Sequence, residues 1–437
     1  MDTIDTIIKG RWLATCNKAF DVLDRHALAI NHGQIIDILP NDKIEDLYHA
    51  HTVETLDNHC ILPGFINAHT HVGMNYLCGF ADDLPLDEWL TKHIWPLEKK
   101  WVSEEFVHDN ATHAIAEMIR SGITCFNDMY FFPNATINAV DTSGMRAIIG
   151  FGLVNFATRW ANNVNEAIED GVMLAEKYHD HPRIDVSIAP HSVYLLTHKE
   201  LERTHEIALK YKLNVHIHVQ ETKKELYDLL GKYGKSAVQI LYEIGFGECH
   251  LQAVHVTHLL EEDFDLLKKM NAHIIHCPES NMKLASGYCP TQAFLKKGIN
   301  VGLGTDSTAS NNNLDMMEEM RFASLLAKLE DMNPVALTAN DTLKMATING
   351  AKALGLEKHI GSLEVGKQAD FIGIHLNDIE TTPCYNPISH IVYAASTEQI
   401  SEVYVSGKAL MKQRKLTTLD EESIIKKALN WQKKLKK

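Results

Sequence analysis

The chain has 437 residues and a formal net charge of −15 at pH 7, and this length allows two or three domains or one large barrel with an appendage. Hydrophobic residues make up 45% and charged residues 23% of the sequence, a composition that is typical of globular proteins and excludes general disorder. The acidic balance disfavours nucleic acid as a partner, because phosphate groups bind to basic surfaces.

The sequence does not predict attachment to a membrane. No apolar run approaches the roughly 18 residues that a membrane span needs, and the first residues lack the basic start and apolar stretch of a secretory signal. The segment from Asp420 to Lys437 predicts a lysine-rich helix, and a solvated terminal helix is favoured over a membrane-surface helix. The eight cysteines include no Cys-x-x-Cys pair, so we expect mostly buried thiols in the reducing environment of the cytoplasm.

Strand-like segments dominate both ends of the chain. Residues 27–30 and 34–39 predict a hairpin with its turn at 31–33. Residues 369–375 and 400–406 are also strand-like, and each segment lies close to a glycine that ends or begins a turn. Both ends are therefore expected to contribute strands to the fold.

The central part of the chain alternates between apolar strand-like runs and helical segments. Eight runs are expected to begin near Ile61, Ile123, Arg146, Ile184, Asn214, Gln252, His273 and Ile299. Two of the intervening helices carry the Thr-x-x-Glu pattern of a capping box, at 197–200 and 222–225. Eight strand–helix units favour a (β/α)₈ barrel, and a doubly wound parallel sheet is the alternative.

The first of these runs ends in a His-x-His pair, His69 and His71. Residues two apart on a strand point to the same side, and the carboxyl ends of barrel strands form the active-site face. Taken alone, the pair does not distinguish a metal site from ordinary polar residues.

Three further strands end in residues of the same chemical types. The fifth carries His216 and His218 on one face and is followed by Glu221, the sixth ends near His255, and the eighth ends at Asp306. Three imidazoles and one carboxylate suit Zn²⁺ or Fe²⁺ with one position left for water. A chance arrangement would require such residues to fall independently at the ends of four strands. We therefore predict a metal-dependent active site. His216 lies one layer deeper than His218, and a supporting role is favoured over ligation.

The fourth strand lacks a residue that a two-metal site would need. Dinuclear barrel hydrolases bridge their metals with a carboxylated lysine at the end of this strand, and residues 183–192 contain no lysine. The sequence therefore favours one metal per chain.

From about Ala29 to Leu410 the sequence resembles the amidohydrolase superfamily, and within it the 5′-methylthioadenosine/S-adenosylhomocysteine deaminases, which are similar to the triazine chlorohydrolases. The motifs that carry the resemblance are PGFINAHTH (63–71), DLPLDEWL (83–90), IWPLE (94–98), APH (189–191), HIHVQE (216–221), SNMKLASG (280–287), GTD (304–306), ASNN (309–312), TINGAK (347–352) and GSLEVGKQAD (361–370). The resemblance implies a metal-dependent hydrolase barrel over residues 61–365. It also implies a small β-sandwich built from residues 1–60 and 366–437, the latter including the terminal helix.

The resemblance also implies roles for the residues at the strand ends. The implied zinc ligands, with iron as the alternative metal, are His69, His71, His218 and Asp306. The metal would lower the pKa of a bound water towards roughly 7, Asp306 would accept a proton from that water, and His255 would orient it. Glu221 would protonate a ring nitrogen of the substrate and then pass a proton to the departing ammonia.

Further residues are implied to bind the substrate. Glu98 would accept hydrogen bonds from both ribose hydroxyls, and His191 would hydrogen-bond the substrate. Arg159 is the nearest candidate to meet a charged substrate tail. The aromatic residues expected to pack against the purine are Trp89, Trp95 and Phe131.

The function that the resemblance implies is hydrolytic deamination of 5′-methylthioadenosine, S-adenosylhomocysteine or both, with the inosine analogue and ammonia as products. An alternative is a deaminase or hydrolase of another amino- or chloro-substituted heterocycle, such as guanine, a pterin or a triazine, which would not need Glu98. A metal-free barrel that serves as a scaffold is a further alternative, and the intact ligand set argues against it. The expected partners are a nucleoside substrate and copies of the same chain in a dimer or tetramer.

Overall fold

A computed structural model describes residues 2–436, which form 17 strands and 17 α-helices. The strands β1–β17 are Asp2–Ala14, Val22–Asp24, His26–Asn31, Gln34–Pro40, Tyr48–Pro63, Phe65–Thr70, Ile123–Tyr130, Arg146–Leu153, Ile184–Pro190, Val215–Val219, Leu251–His255, His273–His276, Val301–Leu303, Phe371–His375, Ile400–Val405, Lys408–Lys412 and Lys415–Leu416. The helices α1–α17 are Ile44–Leu47, Leu86–Glu88, Trp95–Trp101, Glu104–Arg120, Pro133–Ser143, Val164–Tyr178, His198–Tyr211, Lys223–Tyr233, Ala237–Ile244, Glu261–Lys269, Pro278–Lys283, Thr291–Lys296, Met316–Glu330, Ala339–Met345, Ile348–Leu354, Pro387–Tyr393 and Glu421–Leu435.

The strands β6–β13 form an eight-stranded parallel sheet in which the strands follow one another in chain order. A parallel bridge between Thr70 and Asp306 joins the first strand to the last, so the sheet is almost closed and the predicted (β/α)₈ barrel is confirmed. Every residue of β7 and β8 is buried. This is expected for barrel strands, because their inner side chains fill the barrel and helices cover their outer face.

Seven of the eight barrel strands begin within two residues of the predicted positions. The exception is the first, which begins at Phe65 instead of near Ile61, because residues up to Pro63 belong to β5 of the other sheet. At the far edge, β13 approaches β6 very closely at Gly304. A Cβ atom on this glycine would lie 2.8 Å from the backbone nitrogen of His69, so only glycine allows the approach that brings Asp306 beside His69.

The other nine strands form a mixed sheet built from both chain ends, as expected. Its order is β17-β16-β15-β14-β5-β1-β3-β4, with β2 paired to β1. Its buried side chains include Leu28, Phe371 and Tyr404, and the two aromatic rings stack with centroids 4.4 Å apart. The predicted hairpin is present as the antiparallel pair β3 and β4.

The chain divides into two compact units. One contains residues up to 67 together with 116–125 and 315–419, and the other contains 68–115, 126–314 and the residues from 420 onwards. The sequence boundaries at 60/61 and 365/366 stay a prediction. Helix α17 belongs to the second unit, where Trp431 is buried and donates a hydrogen bond to Asp109 at 2.9 Å. Each helix of the described residues is too short or too polar to cross a membrane.

One of the two predicted capping boxes is present. The other prediction is wrong, because only one of its two hydrogen bonds forms. At α7, the Thr197 hydroxyl accepts from the Glu200 N–H and the Glu200 carboxylate accepts from the Thr197 N–H. At α8, the Thr222 hydroxyl accepts from the Glu225 N–H at 3.2 Å. The Glu225 carboxylate, however, accepts from backbone N–H groups that precede Thr222, so it does not complete the box.

Candidate active site

Four predicted ligands meet at the carboxyl ends of β6, β10 and β13. Oδ1 of Asp306 lies 3.3 Å from Nε2 of His69 and 3.2 Å from Nε2 of His71. Nε2 of His218 lies 3.2 Å from Nε2 of His69. Two groups of ligand atoms fall within 4.8 Å of one another: His69, His71 and Asp306, and His69, His218 and His255. The structure therefore brings the predicted set together around one centre.

Three of the four predicted ligands are histidines: His69, His71 and His218. In each of them Nδ1, the ring nitrogen that points away from the centre, contacts another group. Nδ1 of His71 lies 2.6 Å from the carbonyl oxygen of Met129, and Nδ1 of His218 lies 2.7 Å from that of His191. A carbonyl can only accept, so both Nδ1 atoms carry a proton, and in the neutral form of each ring Nε2 presents a lone pair to the centre. Lone pairs and a carboxylate oxygen converge there at about 3.2 Å, an arrangement that a bound cation stabilises. The donor set therefore fits a divalent metal.

The third imidazole, His69, is held by another histidine. Its Nδ1 lies 2.8 Å from Nε2 of His216, which is fully buried. His216 does not belong to either group of candidate ligand atoms. It therefore contacts a ligand rather than the centre, as the sequence favoured.

Asp306 is held as an anion in a strained position. Its backbone lies in the left-handed region, with φ of +60°, where residues other than glycine are rare. Its Oδ2 accepts hydrogen bonds from the hydroxyls of Ser280 at 2.6 Å and Ser310 at 3.0 Å. Burial by itself would raise the pKa of Asp306, but the neighbouring His69 and His71 rings hold that pKa well below its usual value.

Glu221 and His255 face each other beside this centre. Glu221 follows β10 and is 7% exposed, and its Oε2 lies 3.9 Å from Nε2 of His255. Burial raises the pKa of Glu221, so the group is suited to hold a proton nearer neutral pH than a free carboxyl group. Nδ1 of His255 lies 2.9 Å from Oδ1 of Asn281, which orients the ring. The backbone of His255 has φ of +71°, the kind of strain that clusters at functional sites.

A partly open cavity lies over these groups. Its polar wall consists of His71, His191, His218, Glu221, His255 and Asp306, together with serine hydroxyls and Glu98. Its apolar wall includes Leu86, Leu90 and Ile94, and the predicted aromatic residues Trp89, Trp95 and Phe131 also line it. No lysine or arginine of the described residues lines this cavity. A flat aromatic substrate with few charges suits such walls.

Glu98 lies in the wall of the cavity, where it is half-buried. The hydroxyl of Tyr130 donates to its Oε1 at 2.6 Å. Burial raises the pKa of Glu98 to about 7, although the Tyr130 hydrogen bond opposes that rise. The carboxyl group therefore changes its charge near neutral pH.

His191 and Arg159 differ in their relation to the cavity. His191 lines the wall with its ring centroid 4.6 Å from that of His218, and no described residue hydrogen-bonds its buried Nδ1. Burial lowers the pKa of His191 to about 3, so the ring is neutral at physiological pH. Arg159 is exposed, donates to the Lys100 carbonyl at 2.8 Å and is not among the lining residues. Its contact with a substrate tail stays a prediction.

Residues 60–410 match the amidohydrolase family. The chain belongs to the amidohydrolase family. A 5-methylthioadenosine/S-adenosylhomocysteine deaminase from Teredinibacter turnerae is 43% identical over 433 residues, which are 99% of this chain and 98% of the relative. A 5′-deoxyadenosine deaminase from Methanobrevibacter smithii is 42% identical over 400 residues, which are 90% of this chain and 91% of the relative. The resemblance seen in the motifs is thereby confirmed.

Solved structures agree with this assignment. An adenosine deaminase from Xanthomonas campestris with bound zinc superimposes with a TM-score of 0.97 at 37% identity, covering 100% of this chain and 99% of the other. An atrazine chlorohydrolase from Arthrobacter aurescens gives a TM-score of 0.91 at 20% identity, covering 97% and 99%. At that identity the second similarity shows the amidohydrolase fold alone.

Several residues that support the amidohydrolase site were not singled out from the sequence. Ser280 and Ser310 hold Asp306, Asn281 holds His255, and Tyr130 holds Glu98. Ser280, Asn281 and Ser310 lie in the motifs 280–287 and 309–312, which contributed to the resemblance. Their contacts could not be read from these motifs, because the loops that make them meet only in the folded chain. Tyr130 lies at the end of β7, a position that could have drawn attention because barrel active sites form at strand ends.

Proposed function

We propose that the chain is a zinc-dependent hydrolase that removes the amino group from the purine of an adenosine with a thioether or deoxy 5′ position, releasing ammonia and the inosine analogue. The observation that carries the proposal is the pairing of Glu221 with His255 beside the His₃Asp centre, with a second carboxyl group, Glu98, in the same cavity wall. The names of the relatives support the same substrate class.

One Zn²⁺ per chain is proposed at the centre, since three imidazoles and one carboxylate complete a single site and β9, the fourth barrel strand, carries no lysine. The proposed ligands are His69, His71, His218 and Asp306. When bound, zinc would lower the pKa of a water there and so supply a nucleophile near neutral pH. Asp306, which is an anion, accepts a proton from the attacking water.

Glu221 is proposed as the group that moves protons on the substrate. Its raised pKa lets it begin the reaction protonated, and it donates that proton to the ring nitrogen next to the amine-bearing carbon. As a carboxylate it then takes the remaining proton of the attacking oxygen and passes it to the leaving amine, and the proton that Asp306 took up restores the acid form of Glu221 for the next turnover. His255, oriented by Asn281, hydrogen-bonds the attacking water and holds it on line with that carbon.

Glu98 and His191 are proposed to orient the nucleoside. As a carboxylate, Glu98 has lone pairs for both ribose hydroxyls while it also accepts from Tyr130. His191, which lines the cavity wall, hydrogen-bonds the purine or ribose through its ring. The apolar wall around Leu86 and Ile94 suits an uncharged 5′ group such as methylthio.

The proposed setting is a cytoplasmic homodimer or homotetramer. None of the eight cysteines, all within the described residues, takes part in a disulfide, which suits a reducing compartment. The mass of the purified protein in solution, measured by light scattering, tests the assembly: a monomer at micromolar concentration would contradict it.

A substrate panel tests the proposed reaction. Ammonia release by the zinc-reconstituted enzyme is compared for 5′-methylthioadenosine, S-adenosylhomocysteine, 5′-deoxyadenosine, adenosine, guanine, pterin and an aminotriazine. We expect the largest kcat/KM with the 5′-modified adenosines, and a rate at least about 100-fold lower from the matched Glu221→Gln protein, which controls for a contaminating deaminase. Faster turnover of guanine, pterin or the triazine would overturn the substrate assignment.

A further inference from the structure

Glu225 lies in the first turn of α8, outside the cavity, and its carboxylate contacts the backbone of the proposed acid–base residue. Its Oε2 accepts from the Glu221 N–H at 2.9 Å, and its Oε1 accepts from the Gln220 N–H at 3.1 Å. Glu225 is 6% exposed and is absent from the residues that line the cavity. Both of its oxygens are therefore occupied by the segment that carries Glu221.

The same sequence pattern behaves differently at the preceding helix. In Thr197-His-Lys-Glu200, the glutamate accepts from the N–H of its own N-cap residue at 2.7 Å and closes an ordinary capping box. In Thr222-Lys-Lys-Glu225, the helix keeps its threonine cap at 3.2 Å, but the glutamate bonds two residues that lie outside the helix. Helix capping therefore does not explain the position of the Glu225 side chain.

The backbone that Glu225 holds is strained and is fixed from several sides. Gln220 is fully buried and has φ of +48°, a left-handed conformation that persists only where the surroundings impose it. Its side chain accepts from the Val238 N–H at 3.0 Å, and the Thr257 hydroxyl donates to the Glu221 carbonyl at 2.7 Å. Glu225 adds contacts on the N–H side of both residues.

We infer that Glu225 is a positioning residue that sets the direction of the Glu221 side chain through its backbone. This inference rests on the proposed acid–base role of Glu221. Burial raises the pKa of Glu225 to about 8, and the two backbone N–H groups oppose that rise. An amide in place of the carboxylate would present an N–H₂ group to one of these N–H groups, so one hydrogen bond would be lost and Gln220 and Glu221 would shift.

The test compares Glu225→Gln with the matched control Glu200→Gln, using zinc-loaded enzyme and 5′-methylthioadenosine. We expect Glu225→Gln to lower kcat by roughly 10- to 100-fold, because an ångström-scale displacement of a reacting group has that effect. KM should stay within about threefold, and zinc content should not change, because Glu225 touches neither the cavity nor the ligands. Glu200→Gln should keep kcat within about twofold. Glu225→Asp, which keeps a carboxyl group, should recover part of the rate.

A double-mutant cycle separates positioning from a general structural effect. If Glu225 acts only through Glu221, adding Glu225→Gln to Glu221→Gln should change the residual kcat by less than about threefold. An equal fall in kcat in both backgrounds, or an unchanged kcat in Glu225→Gln, would overturn the positioning role. Should Glu225→Gln not fold, Glu225→Asp in the two backgrounds decides by the same criterion. A near-normal rate in Glu221→Gln alone would instead refute the proposed acid–base role, so the two failures are distinguishable.

Discussion

The clearest quantitative prediction concerns the charge of Glu98 and the recognition of ribose. Burial raises the pKa of this carboxyl group to about 7, compared with about 4.3 for a free glutamate. A rise of that size means that burial costs the carboxylate form roughly 3 to 4 kcal/mol relative to the acid form, compared with a free glutamate. Two ribose hydroxyls that donate to the carboxylate would offset this cost, and a substrate without one of them would not.

The expected discrimination follows from the strength of hydrogen bonds to charged groups, about 1.5–3 kcal/mol each. With Glu98 ionised, 5′-methylthioadenosine should exceed its 2′-deoxy counterpart in kcat/KM by roughly 10- to 150-fold. Below about pH 7 Glu98 takes up a proton and loses acceptor capacity. The preference should therefore be small near pH 6, rise through pH 7 and level off above about pH 8.

The assay measures kcat/KM for both nucleosides and for free adenine between pH 5.5 and 9, a range of about two pH units either side of the Glu98 titration. The ratio of the kcat/KM values of the two nucleosides cancels the titration of groups that both reactions share, such as Glu221. Glu98→Ala should reduce the ratio to near one at every pH and leave zinc content unchanged. Tyr130→Phe removes a donor that favours the carboxylate, so the rise should move to higher pH. A ratio that is independent of pH, or that survives Glu98→Ala, would refute the reasoning.

Further substitutions test the centre and the stability of the second unit. Glu221→Gln should keep its zinc but lose about 10²- to 10⁴-fold in kcat; loss of metal, measured by elemental analysis, would contradict the assigned role. Chelation should abolish activity and one equivalent of zinc per chain should restore it, whereas a need for two would refute the mononuclear site. His216→Ala should weaken zinc binding about 10- to 100-fold in competition with a chelator, because it removes the partner of His69. Trp431→Ala, which removes a buried ring and its bond to Asp109, should lower the free energy of unfolding by about 3–5 kcal/mol; an unchanged denaturation midpoint would contradict this.

The barrel strands and the residue types at their carboxyl ends were largely predictable from the sequence. Parallel barrel strands are buried on both faces, so they appear in the sequence as apolar runs, and seven of the eight began within two residues of their expected positions. The carboxyl ends of such strands share one rim. The two-residue period of a strand places His69 beside His71, and the shared rim brings Asp306, more than 200 residues later, to the same centre.

Contacts between loops and helix termini were decided only by the tertiary structure, because no local period specifies them. The sequence favoured a supporting role for His216, the deeper of the two histidines on β10, but only the folded barrel shows that its partner is His69. Two identical Thr-x-x-Glu patterns gave one capping box and one contact to Glu221, since the left-handed backbone at Gln220 presents N–H groups to Glu225. The sequence by itself determined the barrel and which residue types gather on its rim. The folded chain determined which of them face the cavity, because depth and direction depend on neighbours that are remote in sequence.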